Sequence, residues 1–247
     1  MSRLHQPKAG FWIRLCVVIV YPVAGLLFRI RWRHLDRIPD PSTGGVIIAV
    51  NHLSQIDTFL IARLVWQSGR IPRFMVKSGV FGLPVIGRIM RGAGQIPVHR
   101  GTVDAAASLS DAVAALERGE AIVIYPEGTT TKDPQHWPML AKTGIARLVL
   151  LSPKTPVVPI GQWGAQRDGW SFRRLVRRRL AEGTVGEPLD LSRFSDSEPG
   201  ATTLRDITDT IMSAVRDAVA EIRGAPAPAE FAEPPHVHVD KQRRNAG

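Results

Sequence analysis

A single cysteine, Cys16, occurs in 247 residues. Without a second thiol an internal disulfide is impossible, and a thiolate-held metal cluster is excluded. Acidic side chains are also in short supply: 22 Asp and Glu stand against 32 Lys and Arg, for a net charge of +10. That imbalance favours anionic partners, whether nucleic acid, anionic lipid, acidic carrier proteins or phosphorylated substrates. A straight membrane span needs about 20 apolar residues, and the stretch "LCVVIVYPVAGLLF" at 15–28, bounded by Arg14 and Arg29, has 14. No small-residue cleavage site follows it convincingly, so a secretory signal peptide fits poorly. No internal repeat and no composition break divides the chain, so one domain is expected. Its ordinary apolar content of 44% argues against a polytopic membrane protein and against a disordered chain.

The apolar stretch at 15–28 is the first feature that is present. Pro22 and Gly25 are expected to break it into two short helices. Two readings stay open: a buried core helix, or an interfacial or membrane-embedded hairpin. The second is favoured, with Trp12 and Tyr21 near the headgroups and the arginines on lipid phosphates. Cys16 inside the stretch reads as a buried, unreactive thiol. A cytoplasmic or cytoplasm-facing location fits.

Further along, "VIIAV" (46–50) lacks alternation and reads as a fully buried strand. Ser54 is the expected N-cap of a helix through Gln67, with Asp57 at its third position and Gly69 ending it. Extended segments follow at 73–77 and 94–100, the latter at an edge or bulge because of Pro97. Thr102 is expected to cap a helix to Arg118, and "AIVIY" (121–125) is again a buried strand. A helix at 142–151, a strand at 156–160 and an amphipathic helix at 202–223 complete the pattern. Strands alternating with helices predict an α/β fold, a single-domain sheet flanked by helices. The Pro/Ala-rich tail 225–247 is expected to be disordered, and its His236 and His238 do not make a metal site.

Two polar clusters follow buried strands, at the carboxyl edge where open α/β sheets place their ligands. In "NHLSQID", His52 lies in loop geometry and Asp57 in the first helical turn, so the imidazole can fold back onto the carboxylate. A carboxylate on one ring nitrogen fixes the tautomer and leaves the other nitrogen to accept a proton. Alone, the spacing is common: Asp57 serving only as a cap, or His52 bonding only backbone, are plain alternatives. A Ser54 nucleophile activated by His52 is another, although no glycine-flanked elbow surrounds it. In "YPEGTTT" (125–131), Gly128 permits close backbone approach and Glu127 offers an acceptor to a substrate hydroxyl. A solvated Glu in a plain turn is the alternative there.

Together the two clusters resemble the glycerophospholipid acyltransferase family, which includes the 1-acylglycerol-3-phosphate acyltransferases. "KSGVFGLPVIGRIMRGAGQIPVHR" (77–100) resembles its second block through Lys77, Pro84, Gly87, Gly94, Ile96 and Arg100. "KTGIARLVLLSPKTPVVPI" (142–160) resembles its fourth through Lys142, Gly144, Ala146 and Pro159. The likeness spans roughly residues 25–190. It implies that His52 is a general base oriented by Asp57. It further implies direct transfer from an acyl-CoA or acyl carrier protein, with no other cofactor and no metal, onto a lysophospholipid. Glu127, Gly128 and Thr129 would line the acceptor's glycerol site, with Lys77, Arg100 and Lys142 available to phosphate. One position departs: the family's third block has arginine where this chain has Thr130. Lys132 could substitute for that arginine, or the acceptor is another lysophospholipid or a lyso-glycolipid.

The expected organisation is a membrane-associating helical segment at 1–30, an acyltransferase domain at 31–224 and the tail at 225–247. The run "FRRLVRRR" (172–179), preceded by Trp163 and Trp170, makes nucleic acid a rival partner. No nucleic-acid motif accompanies it, and tryptophan beside arginine suits an anionic bilayer. Peripheral or monotopic attachment at the cytoplasmic face is therefore expected, with no nucleic acid. A non-catalytic binding protein on the same scaffold is the rival from another class.

Overall fold

The computed structural model describes residues 9–99, 105–166, 178–195 and 197–233. The chain begins with helix α1 (Phe11–Leu27) and strand β1 (Phe28–Arg33), followed by β2 (Val46–Val50) and α2 (Asp57–Gln67). Then come β3 (Pro72–Lys77), α3 (Pro84–Gly92), β4 (Ile96–Val98), α4 (Ala105–Glu117) and β5 (Ala121–Ile124). Helix α5 (Gly144–Leu151), β6 (Val157–Trp163), β7 (Arg179–Val185) and α6 (Ala201–Arg223) follow.

The strands form one seven-stranded sheet in the order β1-β7-β6-β2-β5-β3-β4. β6, β2, β5, β3 and β4 run parallel, while β7 is antiparallel to β6 and parallel to β1. Because successive side chains alternate across a strand, buried strands need helices on both faces. Ile47, Ala49, Ile122 and Val157 pack on one face with Ala112 and Leu116 of α4, Ile145 of α5 and Ile207 and Ile211 of α6. Ile48, Val50, Val123 and Val158 point to the other, against Ile61, Leu64 and Val65 of α2. Each fully buried branched side chain contributes about 1.5–3 kcal/mol, so Ile48→Ala would remove a large share of a domain's stability.

The α/β architecture is as the alternation predicts, with β4 and its Pro97 at the sheet edge. Four details differ. Pro22 does not break the first helix, which is continuous over 17 residues. Proline there costs about 3 kcal/mol, and α1 offsets it by packing on α2 and α3, with the Tyr21 ring under Arg63 at 4.9 Å. Ser54 is not the cap of α2: Ile56 holds that place with no side-chain cap, and the helix starts at Asp57. β1, α3 and β7 are elements the sequence pattern does not announce. Finally, residues 225–233 of the tail fold back onto the body, where Ala232 pairs with Met139. Thr102, Trp170, residues 172–177 of the basic run, His236 and His238 lie outside the described residues.

Candidate active site

The parallel strands bring their carboxyl ends to one edge, and two of the loops there carry the clustered polar groups. β2 delivers Asn51 and His52. The Asn51 side chain donates to the Gln162 carbonyl at 3.1 Å and accepts from the Gln162 N–H at 2.9 Å, while Gln162 Nε2 donates to the Asn51 carbonyl at 2.8 Å. This clasp locks the end of β2 to β6. His52 follows, almost wholly buried. Its Nδ1 lies 3.1 Å from both carboxylate oxygens of Asp57.

Asp57 is fully buried and serves the loop as well as the ring. Its Oδ2 accepts from the Leu53 N–H at 2.6 Å and the Ser54 N–H at 2.9 Å. The carboxylate, not the Ser54 hydroxyl, therefore shapes the turn before α2. Ser54 Oγ is buried without a hydrogen-bond partner.

β5 delivers the second loop. Tyr125 lays its ring on the His52 imidazole, with centroids 4.1 Å apart and planes at 26°. Its hydroxyl is buried, with the side chains of Asp57 and Thr58 as its polar neighbours. Burial, and then the charge of Asp57, hold that hydroxyl well above its ordinary pKa, so it stays protonated. Gly128 closes the turn with φ +68°, a conformation that excludes most side chains, and its N–H donates to the Tyr125 carbonyl.

Glu127, expected to meet a substrate hydroxyl, has both oxygens engaged by backbone. Oε1 accepts from the His52 N–H at 2.9 Å and Oε2 from the Met139 N–H at 3.0 Å. Only 2% of the residue is exposed. Burial pushes its pKa up to about 8; the two N–H donors oppose that shift and the Asp57 charge adds to it. A further bond, from the Thr131 N–H to the His52 carbonyl at 2.7 Å, ties the same two loops together.

Of the remaining expected residues, those described lie at or near the surface. Lys77 is exposed at the end of β3, on the strand beyond β5. Thr129 and Lys132 are exposed and Thr130 is half-buried. Lys142 is exposed and its N–H donates to the Pro126 carbonyl, which holds it beside the Glu127 turn. Arg100 lies outside the described residues. Sequence reasoning attached no role to Asn51, Tyr125, Met139 or Gln162. A polar Gln inside the apolar run "VVPIGQW" is the one signal that could have pointed to the clasp.

An apolar cavity of about 130 Å³ lies between α1, α2 and β3, and none of His52, Asp57, Tyr125 and Glu127 lines it. Its walls include Cys16, Val17 and Val20 of α1, Phe59 of α2 and Phe74 of β3. Thr58, next to Asp57, lines it, and the Phe74 ring lies 6.4 Å from that of Tyr125. A buried imidazole–carboxylate pair beside a protonated phenol can accept a proton from a hydroxyl brought to the free ring nitrogen.

The family model described as Acyltransferase matches residues 29–163. A chloroplastic 1-acyl-sn-glycerol-3-phosphate acyltransferase of Arabidopsis thaliana is 27% identical, over 76% of this chain and 55% of the relative. One from Brassica napus is 28% identical, over 66% of this chain and 43% of the relative. The chain thus spans about half the length of these plant relatives. A 1-acyl-sn-glycerol-3-phosphate acyltransferase of Bacillus subtilis is 24% identical, over 72% of this chain and 82% of the relative. In fold the chain is similar to the crystal structure of the 1-acyl-sn-glycerophosphate acyltransferase PlsC from Thermotoga maritima. The TM-score is 0.62 at 18% identity, covering 87% of this chain and 81% of that one.

Proposed function

This chain belongs to the acyltransferase family, and from that premise we propose that it acylates the free hydroxyl of 1-acylglycerol-3-phosphate, forming phosphatidic acid. The donor is an acyl thioester, acyl-CoA or acyl carrier protein. The observation that carries the reading is the buried His52 Nδ1–Asp57 pair at 3.1 Å, held at the carboxyl edge of the parallel strands. Asp57 holds the proton on Nδ1, so Nε2 is the nitrogen that accepts. Nε2 takes the acceptor's hydroxyl proton as the oxygen attacks the thioester carbonyl. The C–S bond breaks, and the imidazolium returns the proton to the departing thiolate. No acyl-enzyme forms. In this reading Ser54, whose hydroxyl bonds to nothing, is part of the turn and not a nucleophile.

Glu127 holds the His52 backbone through its N–H and so sets where the ring sits. Lys77, Lys132 and Lys142, with Arg100 in sequence, supply positive charge for phosphate in place of the arginine that Thr130 replaces. The apolar walls between α1, α2 and β3 suit contact with part of an acyl chain. Phosphatidic acid formed from lysophosphatidic acid and either thioester is the expected product. Release of free fatty acid alone, with no acylated acceptor, would overturn the assignment.

Membrane attachment belongs to the same proposal. Among the described residues no helix is long and apolar enough to cross a membrane. However, α1 exposes Phe11, Val18, Ile19 and Leu26, and Leu83, Val85 and Ile86 are exposed at the start of α3, which packs on α1. Neither segment 9–35 nor 77–99 contains an acidic residue, while Arg14, Arg29, Lys77, Arg88 and Arg91 lie in them. An apolar face with a purely basic rim suits an anionic bilayer, where both the acceptor and the acyl chain are found.

A further inference from the structure

The chain after α6 takes a course that a loose tail would not. α6 ends at Gly224 in left-handed geometry. Residues 225–233, "APAPAEFAE", then run back across the body, held in three ways. Arg216 of α6 donates to the Ala229 carbonyl at 2.9 Å. Its guanidinium also covers the Phe231 ring at 4.8 Å. The Leu140 N–H donates to the Ala232 carbonyl at 2.9 Å, within a parallel bridge between Met139 and Ala232. Pro226 and Pro228 fix φ and keep the approach extended.

What the segment touches gives it significance. Successive N–H groups on one strand point to opposite sides. The Met139 N–H goes inward to Glu127 Oε2, and the Leu140 N–H goes outward to Ala232. Glu127 in turn accepts from the His52 N–H. A continuous line of backbone and carboxylate bonds therefore joins Ala232, the 139–140 segment, Glu127 and His52. The Met139 side chain is 1% exposed, so the segment has no slack on its inner side.

We propose that residues 225–233 are a positioning strap, clamping the 139–140 segment onto Glu127 and through it fixing His52. This rests on His52 being the base of the reaction. No part of the strap touches substrate; it acts through the loop it holds. Losing all three contacts frees the outer face of the segment, a change worth up to about tenfold in rate.

Three chains test it: one ending at Gly224, one ending at Glu233, and the full chain with Phe231→Ala beside Phe231→Trp. The chain ending at Glu233 should match the full chain. The chain ending at Gly224 should lose about tenfold in kcat, with both KM values within about twofold and the Met139 and Leu140 amides exchanging faster. Phe231→Ala should lose about threefold in kcat, and Phe231→Trp should recover it, which decides the matter if the Gly224 chain does not fold. An unchanged kcat in the Gly224 chain or in Phe231→Ala, or a loss carried by KM alone, would overturn the strap. Amide exchange separates this from the acyl-transfer reading. If the full chain transfers no acyl group yet exchange at 139–140 quickens without the strap, the clamp stands and the catalytic reading falls.

Discussion

Replacing Glu127 by Gln isolates a single buried proton. The side chain keeps its size, but one acceptor oxygen becomes an NH2 that faces a backbone N–H of His52 or Met139. At pH 5 the wild-type carboxyl is neutral: its carbonyl oxygen accepts fully and its hydroxyl oxygen only through a remaining lone pair. The amide leaves one buried donor unmet, at a cost of about 1–3 kcal/mol. The two proteins then diverge in their response to pH. Folded Glu127 holds its proton to about pH 8, whereas the unfolded chain releases it near 4.3, the ordinary Glu value, to within about a unit. Across that window the unfolded wild type binds fewer protons than the folded one. Wild-type stability therefore falls as pH rises, with a limiting slope of about 1.4 kcal/mol per pH unit. Glu127→Gln lacks this term. Urea unfolding of both proteins at unit steps from pH 5 to 9 should show the mutant less stable at pH 5. Its deficit should shrink and then reverse towards pH 8, and level off beyond. A difference that is flat across the range, or a deficit that grows with pH, would refute the reasoning by showing a carboxylate kept ionised by its two N–H donors.

Other expectations concern the frame, the acceptor and the bilayer. Arg70 is 1% exposed and donates to the carbonyls of Pro39, Asp40, Gly44 and Gly119, at the sheet edge opposite His52. Arg70→Ala should cost at least about 3 kcal/mol in chemical unfolding while leaving kcat of the folded fraction unchanged. Thr130→Arg should preserve or improve use of lysophosphatidic acid, and a strong loss in the acceptor KM would mean the pocket is shaped for a different head group. Val85→Asp with Ile86→Asp should weaken co-sedimentation with anionic vesicles by about tenfold or more. Unchanged sedimentation would remove α3 from the bilayer-facing surface.

The parts of the fold that were legible in sequence are those where burial dominates. β2 and β5 are apolar at nearly every position, so their character survives any neighbour. β1 was obscured because the apolar run of α1 continues through Phe28, hiding the switch from helical to alternating pattern in "FRIRWR". β7 carries Gly183, a poor strand former, because a Cβ there would run into the Trp32 ring. In the site, His52 and Asp57 were legible as a pair. Which groups cap the loop was not, since Ser54 and Asp57 are both good acceptors and only the fold decides between them. Glu127 was recognisable as a site residue, yet its partner Met139 donates from backbone, which no residue type signals.

Acyl transfer by the full chain and by His52→Ala, measured side by side with lysophosphatidic acid and palmitoyl-CoA or palmitoyl carrier protein, tests the central claim. The account predicts phosphatidic acid from the wild type and a rate lower by about 10²–10⁴ in a folded His52→Ala protein. A His52→Ala protein that transfers acyl groups at the wild-type rate would contradict it.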